Sequence, residues 1–299
     1  MSRDDPMTGA ATSPRRSYQM VTAKLSRRQH SSRDAVPALD KIGTIAFVAL
    51  VAIGLFAPLL APFDPTMPAG APFTPPNSVY WLGTDGVGYD IASRVMYGLR
   101  ASILAAAIVV GAGAAIGAAV GSVAGLGPRW LDDLFMRLTD LFLSVPAPLV
   151  AIAIVVALGP GYLTMLAGIT IVWWPLYARI ARSQIVATRG RPHTQVATLS
   201  GIPFIRRTRR HILPATYPTL ITTMSQDIGA LIVTISSLAF LGLGAPSPAP
   251  ELGAMVARGL PYLFTQWWIP FAPAAVVFVL AFTASLAGDA ITTLRGQGG

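Results

Sequence analysis

Residues 195–218 have the sequence QVATLSGIPFIRRTRRHILPATYP, in which a glycine and four arginines lie between two strongly apolar parts of the chain. The glycine is Gly201, and the arginines are Arg206, Arg207, Arg209 and Arg210. Arginines at this density are excluded from lipid, whereas the flanking stretches have the composition of membrane-crossing helices. The stretch therefore predicts a basic loop that joins two membrane spans.

The composition of the whole chain agrees with a membrane protein. Of its 299 residues 53% are hydrophobic and 12% are charged, and the mean hydropathy is +0.59, whereas about 25% of the residues in a soluble domain are charged. The net charge of +9 would suit nucleic-acid binding, but the arginines form short clusters between spans of lipid length, so no nucleic-acid partner is expected. With no cysteine, three histidines and one glutamate, the chain is expected to hold no metal and no thiolate chemistry.

Six stretches are long enough to cross a bilayer, which takes about 20 mostly apolar residues. They are residues 42–63, residues 101–128, two spans within 141–178 separated by the turn GPGY at 159–162, residues 216–243 and residues 267–288. This pattern predicts an all-α membrane protein whose six-span transmembrane domain covers residues 41–293.

The positive charges predict the orientation. If the N-terminus is inside, only Arg94, Arg100 and Arg258 of the 22 lysines and arginines fall outside the cytoplasm. The positive-inside rule therefore places both termini in the cytoplasm. Residues 1–40, which are polar and rich in Ser and Arg, are expected to form a disordered basic tail, and residues 294–299 a short second tail.

Glycines recur every four residues in the second span, at Gly113, Gly117, Gly121 and Gly125. This spacing places them on one helix face, where another helix can approach closely. The sequence predicts a helix-packing surface but does not show whether the partner helix belongs to the same chain or to another subunit.

The basic loop has internal organisation. The segment PHTQVATL is typical of a short helix, Ser200 and Gly201 of its end, and IPFIRRTRRH of a second short helix. Two helices that meet at a glycine would offer a shaped basic surface to an acidic or grooved partner. The alternative is that the arginines only fix the topology and bind lipid phosphates. One or two arginines would suffice for these roles, so we favour docking to a partner.

This loop resembles the EAA loop of binding-protein-dependent ABC importer permeases. The residues at the family's spacing are Gly201, His211, Ile212, Leu213 and Pro214, while Gln195, Val196 and Ala197 stand where the family has its E-A-A triplet. The resemblance implies that residues from about 187 to 214 form a coupling loop seated in a cleft of an ATPase subunit.

Three further segments narrow the resemblance to the C-type permease of the dipeptide, oligopeptide and nickel branch. They are WLGTDGVGYDIASRVMYGLRASI at 81–103, DDLFMRLTDLFLSVPAPLV from Asp132 and SSLAFLGLGAPSPAPELGAM from Ser236. In this branch Ile235 and Leu252 stand where glutamate and tryptophan are common. The resemblance implies a type I ABC importer permease fold in the plasma (inner) membrane and the import of di- or oligopeptides, with nickel or another small solute as the alternative.

The chain is not expected to be an enzyme or to bind a cofactor itself. A Walker A loop needs a lysine directly after a glycine, but Lys24 follows alanine and Lys41 follows aspartate. The resemblance implies that ATP and Mg²⁺ are bound by two separate ATPase subunits. It also implies a second homologous permease and an extracytoplasmic solute-binding protein as partners in the lipid bilayer.

Asp227 is the one charge within the fifth predicted span, and with Ser225 and Gln226 it forms a candidate translocation path. An aspartate at that depth costs roughly 2.5–3.5 kcal/mol on insertion scales, so it needs a polar pathway or a partner. An ordinary hydrogen bond between helices is the alternative. Outside the spans, GTDGVGYD predicts a turn-rich element, and Arg137 and Asp140 a local ion pair.

Two other classes of protein are alternatives to a permease. A secondary transporter would need no ATPase and often contains inverted repeats, none of which is evident in the sequence. A membrane-embedded enzyme would place a cluster of polar side chains on facing spans, where this chain offers chiefly Asp227.

Overall fold

The computed structural model describes residues 37–296, and within this range the chain is helical without a β-strand. The predicted all-α class is therefore confirmed. In chain order the helices are α1 (Ala38–Leu55), α2 (Ala57–Leu60), α3 (Ile91–Leu126), α4 (Arg129–Ser144), α5 (Ala147–Leu158), α6 (Tyr162–Arg189), α7 (Pro192–Leu199), α8 (Phe204–Arg207), α9 (Leu213–Phe240), α10 (Leu252–Gly259) and α11 (Trp268–Gly296). A π-helical turn covers Thr208–Ile212, and a 3₁₀ turn covers Leu260–Tyr262.

Five helices in the described range are long and apolar enough to cross a membrane: α1, α3, α6, α9 with the turns that precede it, and α11. Helices α4 and α5 add a sixth span if the pair is counted as one, although the two are bent by 90° relative to each other. The prediction of six spans holds in this form, with the third span broken.

Prolines cause the break in the third span. Val145 has an extended backbone (φ −104°, ψ 137°), and Pro146 and Pro148 follow at the start of α5. Proline lacks a backbone N–H and disfavours helical geometry in the residue before it, so α4 ends there. The sequence placed the start of the third span at Leu141, which lies inside α4. This span is therefore not a single straight helix.

Helices α3 and α6 pack along much of their length, and the regularly spaced glycines of α3 lie between them. A methyl group at Gly117 would lie 2.5 Å from the carbonyl oxygen of Trp174, and one at Gly125 would lie 2.9 Å from Cγ2 of Ile185. The partner of the glycine surface is thus α6 of the same chain, which the sequence left open.

Arginines of α6 hold α4 and the end of α3. Arg182 forms a bidentate pair with Asp132, with N–O distances of 2.6 and 2.9 Å, and Arg179 pairs with Asp140. The predicted local pair of Arg137 with Asp140 is wrong, because α6 runs beside α4 and brings Arg179 to this carboxylate. Arg189 donates to the carbonyl oxygen of Gly125, at 2.7 Å, near the end of α3.

The apolar core lies among α3, α5, α6, α9 and α11. Ile235, at a position where the family branch commonly has glutamate, is 2% exposed within this core. Leu252, where tryptophan is common, is fully buried in a second cluster with Ile91, Met255 and Ile269. Both departures from the family pattern thus place aliphatic side chains in buried apolar sites. An aliphatic side chain has no polar group that burial would leave unpaired.

The segment of residues 61–90 has no helix but is held by its own hydrogen bonds. Asp85 accepts hydrogen bonds from the N–H groups of Val87 and Tyr89, and Asp90 caps α3 by accepting from the N–H of Ser93 at 2.8 Å. This is the turn-rich element that the sequence predicts, and both aspartates stabilise it.

The predicted tails are shorter than expected where the structure describes them. Helix α1 begins at Ala38, directly after Pro37, so residues 38–40 belong to the helix. Helix α11 extends to Gly296, past the predicted boundary at residue 294. The remainder of both predicted tails, residues 1–36 and 297–299, lies outside the described residues.

Candidate functional site

The loop between α6 and α9 turns sharply at Gly201. The N–H of Gly201 donates to the carbonyl of Thr198 at 3.1 Å, and the N–H of Ile202 donates to that of Ala197 at 3.2 Å. Gly201 has φ +70°, so α7 ends in the two-bond motif that favours glycine at this position. The predicted helix end is therefore present, with a defined geometry.

The second half of the loop differs from the prediction of a separate short helix. Helix α8 passes through the π-helical turn into α9 without a break, so Phe204–Phe240 forms one helix of 37 residues. Pro214 lies at the start of α9, directly after the π-helical turn, where a missing N–H disturbs the hydrogen bonding least. The basic segment is thus a rigid extension of a membrane-spanning helix.

The surface of the loop combines apolar and basic side chains. Its exposed large apolar residues are Val196, Leu199, Phe204 and Ile205, with Leu199 87% exposed. Next to them, Arg206, Arg209 and Arg210 line an open groove together with Pro203 and Ile205. Charged groups beside exposed apolar ones are typical of a surface that docks a protein partner.

Other predicted loop residues hold the loop together. Arg207 lies with its guanidinium carbon 5.8 Å from the ring centre of Phe204 and donates to the hydroxyl of Thr198, which joins α8 to α7. Gln195 donates to the carbonyl oxygen of Gly190 at 3.2 Å, and Ala197 is buried. His211 and Pro214 are exposed, and Leu213 is half-buried.

Asp227 lies on α9 against α6. Its half-buried carboxylate interacts with the phenol of Tyr177 and the indole of Trp173. Within residues 37–296, however, neither of these two groups nor Oδ2 of Asp227 forms a hydrogen bond of ordinary geometry. A polar cluster with unused hydrogen-bonding capacity therefore lies between two spans.

The other two residues of the predicted path do not join this cluster. The hydroxyl of Ser225 donates to the carbonyl of Thr222 at 2.7 Å, and its backbone packs against Gly288 of α11. Gln226 is exposed on another face of α9. Sequence reasoning missed Trp173 and Tyr177, although their spacing of four residues in an uncharged span places two polar aromatic groups on one face.

Metal binding has no evident site in the described part of the chain. Among residues 37–296 no group of three or more His, Asp or Glu side chains is arranged to hold an ion.

Comparison with known proteins identifies the family. Residues 117–294 match the family described as binding-protein-dependent transport system inner membrane component. The chain is 37% identical over 257 residues to the Probable D,D-dipeptide transport system permease protein DdpC of Escherichia coli K12, covering 86% of each chain.

Two further relatives agree. The Dipeptide transport system permease protein DppC of Haemophilus influenzae is 33% identical, over 84% of this chain and 87% of its own. The Di/tripeptide transport system permease protein DppC of Pseudomonas aeruginosa is 32% identical, over 84% and 85%. The resemblance found in the sequence is confirmed, and the chain belongs to the binding-protein-dependent transport system inner membrane component family as a multi-pass membrane permease.

Proposed function

We propose that this chain is a permease subunit of an ABC importer that moves di- or oligopeptides across the plasma membrane. The names of three relatives that cover most of the chain support the peptide class. In this proposal the chain assembles with a second homologous permease, two ATPase subunits that bind ATP and Mg²⁺, and an extracytoplasmic solute-binding protein.

The distribution of charge supports one orientation of the chain. The end of the bundle that contains the loop also contains Lys41, Arg129 and Arg137 and the arginines of residues 179–210, whereas the other end contains Arg94, Arg100 and Arg258. The positive-inside rule favours the cytoplasm for the loop end and for both termini.

The observation that carries the proposal is the mechanical continuity of the loop with α9. A force applied at the exposed Phe204 and Ile205 reaches the membrane directly, because Phe204–Phe240 is one helix. The bridge from Arg207 to Thr198 makes α7 move with it. Closure of the ATPase subunits on ATP would therefore tilt or shift α9 and change access to the pathway.

Asp227 connects this movement to the pathway. It lies 20 residues beyond Arg207 in the sequence, a distance of about 30 Å at the helical rise per residue. Because Tyr177 and Trp173 are on α6, a shift of α9 would change the distances between these groups and the carboxylate. In this proposal the cluster lines the path and interacts with polar groups of the cargo during passage.

Reconstitution tests the proposed function. The chain would be purified in mild detergent from its native membrane and examined for an associated ATPase. The complex would then be placed in vesicles with the solute-binding protein outside and a labelled dipeptide. We expect uptake that needs ATP on the loop side. Uptake of the dipeptide by this chain alone, without any nucleotide, would contradict the proposal.

Asp227→Asn is expected to lower ATP-dependent uptake about tenfold per folded complex, a change of roughly 1.4 kcal/mol in the transport barrier. The substitution keeps the shape of the side chain and removes its charge. Tyr177→Phe, which removes one hydroxyl beside Asp227, should lower uptake in the same direction. The matched control is Asp289→Asn, at an exposed aspartate of α11. Unchanged uptake in Asp227→Asn at normal expression would remove Asp227 from the path.

A further inference from the structure

A cavity of about 210 Å³ lies at the end of the molecule opposite the arginine loop. It is formed where the turn-rich segment and the start of α3 meet α10, the 3₁₀ turn and the start of α11. Its lining includes Asp85, Arg94, Met255, Arg258, Tyr262 and Ile269. The proposed pathway does not use this cavity.

Arg94 is the unusual residue of the cavity, because its side chain is only 2% exposed. Its Nη1 donates to the carbonyl of Pro65 at 2.7 Å, and its guanidinium lies 4.5 Å from the ring centre of Tyr89. Its buried Nε, however, has no hydrogen-bond partner among the described residues. A buried charged donor without an acceptor is costly, so an acceptor from outside the chain would complete the site.

Arg258 adds a second guanidinium at the mouth of the cavity. It is exposed in the last turn of α10, and in residues 37–296 neither Arg94 nor Arg258 forms an ion pair. Two neighbouring guanidinium groups, neither of them in an ion pair, favour the binding of an anion, and a carboxylate matches their planar donors.

The nearby carboxylates compensate only part of this charge. Asp85 lines the cavity and attracts the guanidinium of Arg94, and its Oδ1 also accepts the N–H groups of Val87 and Tyr89, at 2.9 and 3.0 Å. Glu251, which does not line the cavity, accepts the N–H of Ala245 at 2.9 Å, and burial raises its pKa although the nearby Arg258 lowers it. Two guanidinium groups and one carboxylate line the cavity, so its lining has a net positive charge.

The segment that borders the cavity is held in place by its own contacts. The hydroxyl of Thr84 donates to the carbonyl of Ala71 at 2.7 Å, the indole of Trp268 donates to the carbonyl of Thr84 at 3.4 Å, and the rings of Phe73 and Tyr262 are 5.0 Å apart. Long ordered segments without helices or strands are usually functional. This one forms a rigid rim around the arginines.

One exposed apolar side chain lines the cavity, and another follows the lining residue Tyr262 closely in the sequence. Val87, which lines it, is 57% exposed, and Phe264, two residues after Tyr262, is 98% exposed. Arginine together with exposed aromatic and aliphatic groups is the composition of protein interfaces. The volume of about 210 Å³ is below the roughly 300–1,000 Å³ of small-molecule sites, so the cavity suits one side chain better than a whole dipeptide.

We propose that this cavity receives the carboxylate of an aspartate or glutamate side chain of the extracytoplasmic solute-binding protein when that protein docks. The inference rests on the proposed function, in which this end of the chain faces the outside. Arg258 meets the incoming carboxylate first, and Arg94 then binds it inside the cavity. The pair thereby fixes the position of the binding protein over the permease.

The test uses the complete transporter in nanodiscs and, as the probe, the solute-binding protein that supports its uptake. We expect Arg258→Glu to weaken docking by about tenfold or more, since the carboxylate then meets a like charge, and Arg258→Gln to weaken it less and to flatten its salt dependence. Arg100→Gln is the matched control, because Arg100 lies at the same end but lines a separate cavity. Basal ATP hydrolysis and the amount of folded complex should stay unchanged in all three.

A charge swap identifies the source of the carboxylate. Replacing one acidic surface residue of the binding protein by arginine should restore docking to the Arg258→Glu transporter. Equal docking affinity in wild type and Arg258→Glu would overturn the inference. The inference would also be overturned if Arg258→Gln left docking unchanged and abolished only the transporter's preference for peptides with a free C-terminal carboxylate over amidated ones. The cavity would then bind the cargo and not the binding protein. If the wild type shows no ATP-dependent uptake at all, the proposed function itself has failed.

Discussion

Replacement of Gly201 by valine is expected to abolish ATP-dependent uptake while the chain still folds and inserts. Gly201 has φ +70°, a backbone geometry that costs an ordinary residue roughly 1–2 kcal/mol and suits a β-branched one least. Apart from Gly201 itself and its two chain neighbours, no described atom lies within 4 Å of the position that a Cβ would occupy, so the effect comes from the backbone alone. The strain is relieved if the end of α7 unwinds.

Unwinding at this position would uncouple the loop. It removes the two hydrogen bonds that fix the turn, from Gly201 to Thr198 and from Ile202 to Ala197. Helix α7 then no longer has a fixed angle to the long helix Phe204–Phe240. A force from the ATPase on α7 would then bend the turn instead of moving α9, so ATP hydrolysis could continue without transport.

Companion substitutions at the same site separate backbone strain from charge. Aspartate and asparagine both tolerate the left-handed geometry, but aspartate adds a negative charge beside Arg206, Arg209 and Arg210. We expect Gly201→Asp to abolish uptake through its charge and Gly201→Asn to keep most of it. Gly190→Ala is the backbone control. Gly190 has an ordinary helical φ of −78°, and its added methyl would lie 3.6 Å from the carbonyl oxygen of Ala187, an ordinary contact distance.

Uptake into vesicles, ATP hydrolysis stimulated by the binding protein and the yield of folded complex would be measured for each variant. Full transport by Gly201→Val would show that the geometry of this turn is not needed for coupling. Loss of the folded protein in Gly201→Val but not in Gly190→Ala would show that the turn serves folding instead.

Local signals account for what the sequence predicted well. Apolar length located the spans, Gly201 marked the end of α7, and the four-residue glycine spacing of α3 marked a packing face. Each of these signals depends on residues within one or two helical turns. Such signals can be recognised in the sequence because the conformational preference of glycine and the length needed to cross the bilayer both depend on short stretches of chain.

What the sequence did not predict depends on contacts between distant residues. Asp140 pairs with Arg179, 39 positions away, rather than with the nearer Arg137, because the neighbouring helix decides which arginine is in reach. Asp227 meets Trp173 and Tyr177, whose uncharged side chains do not stand out in an apolar span. The unbroken helix through Arg206–Arg210 was missed for a different reason: a basic run followed by Pro214 is typical of a loop.

The second large effect is expected at Gly117, where leucine should prevent α3 from packing on α6. A methyl group there would already lie 2.5 Å from the carbonyl oxygen of Trp174 and 2.8 Å from the backbone nitrogen of Ala178. These are backbone atoms of a packed helix, so they cannot rotate away as a side chain could. We expect the free energy of unfolding to fall by about 3 kcal/mol or more, which is at the upper end of the usual cost of overpacking.

Gly111→Leu provides the matched control on the same helix. Gly111 is exposed, and no described atom outside its local helix lies within 4 Å of the position that a Cβ would occupy. Leucine there should be neutral or slightly stabilising, because glycine is a poor helix former. Yield of monodisperse protein in detergent and its thermal unfolding would be compared. Because the two variants add the same side chain to one helix, a shared loss would reflect the bulk of leucine in α3. A loss at Gly117 alone would show that close contact between α3 and α6 is what this chain requires of its regularly spaced glycines.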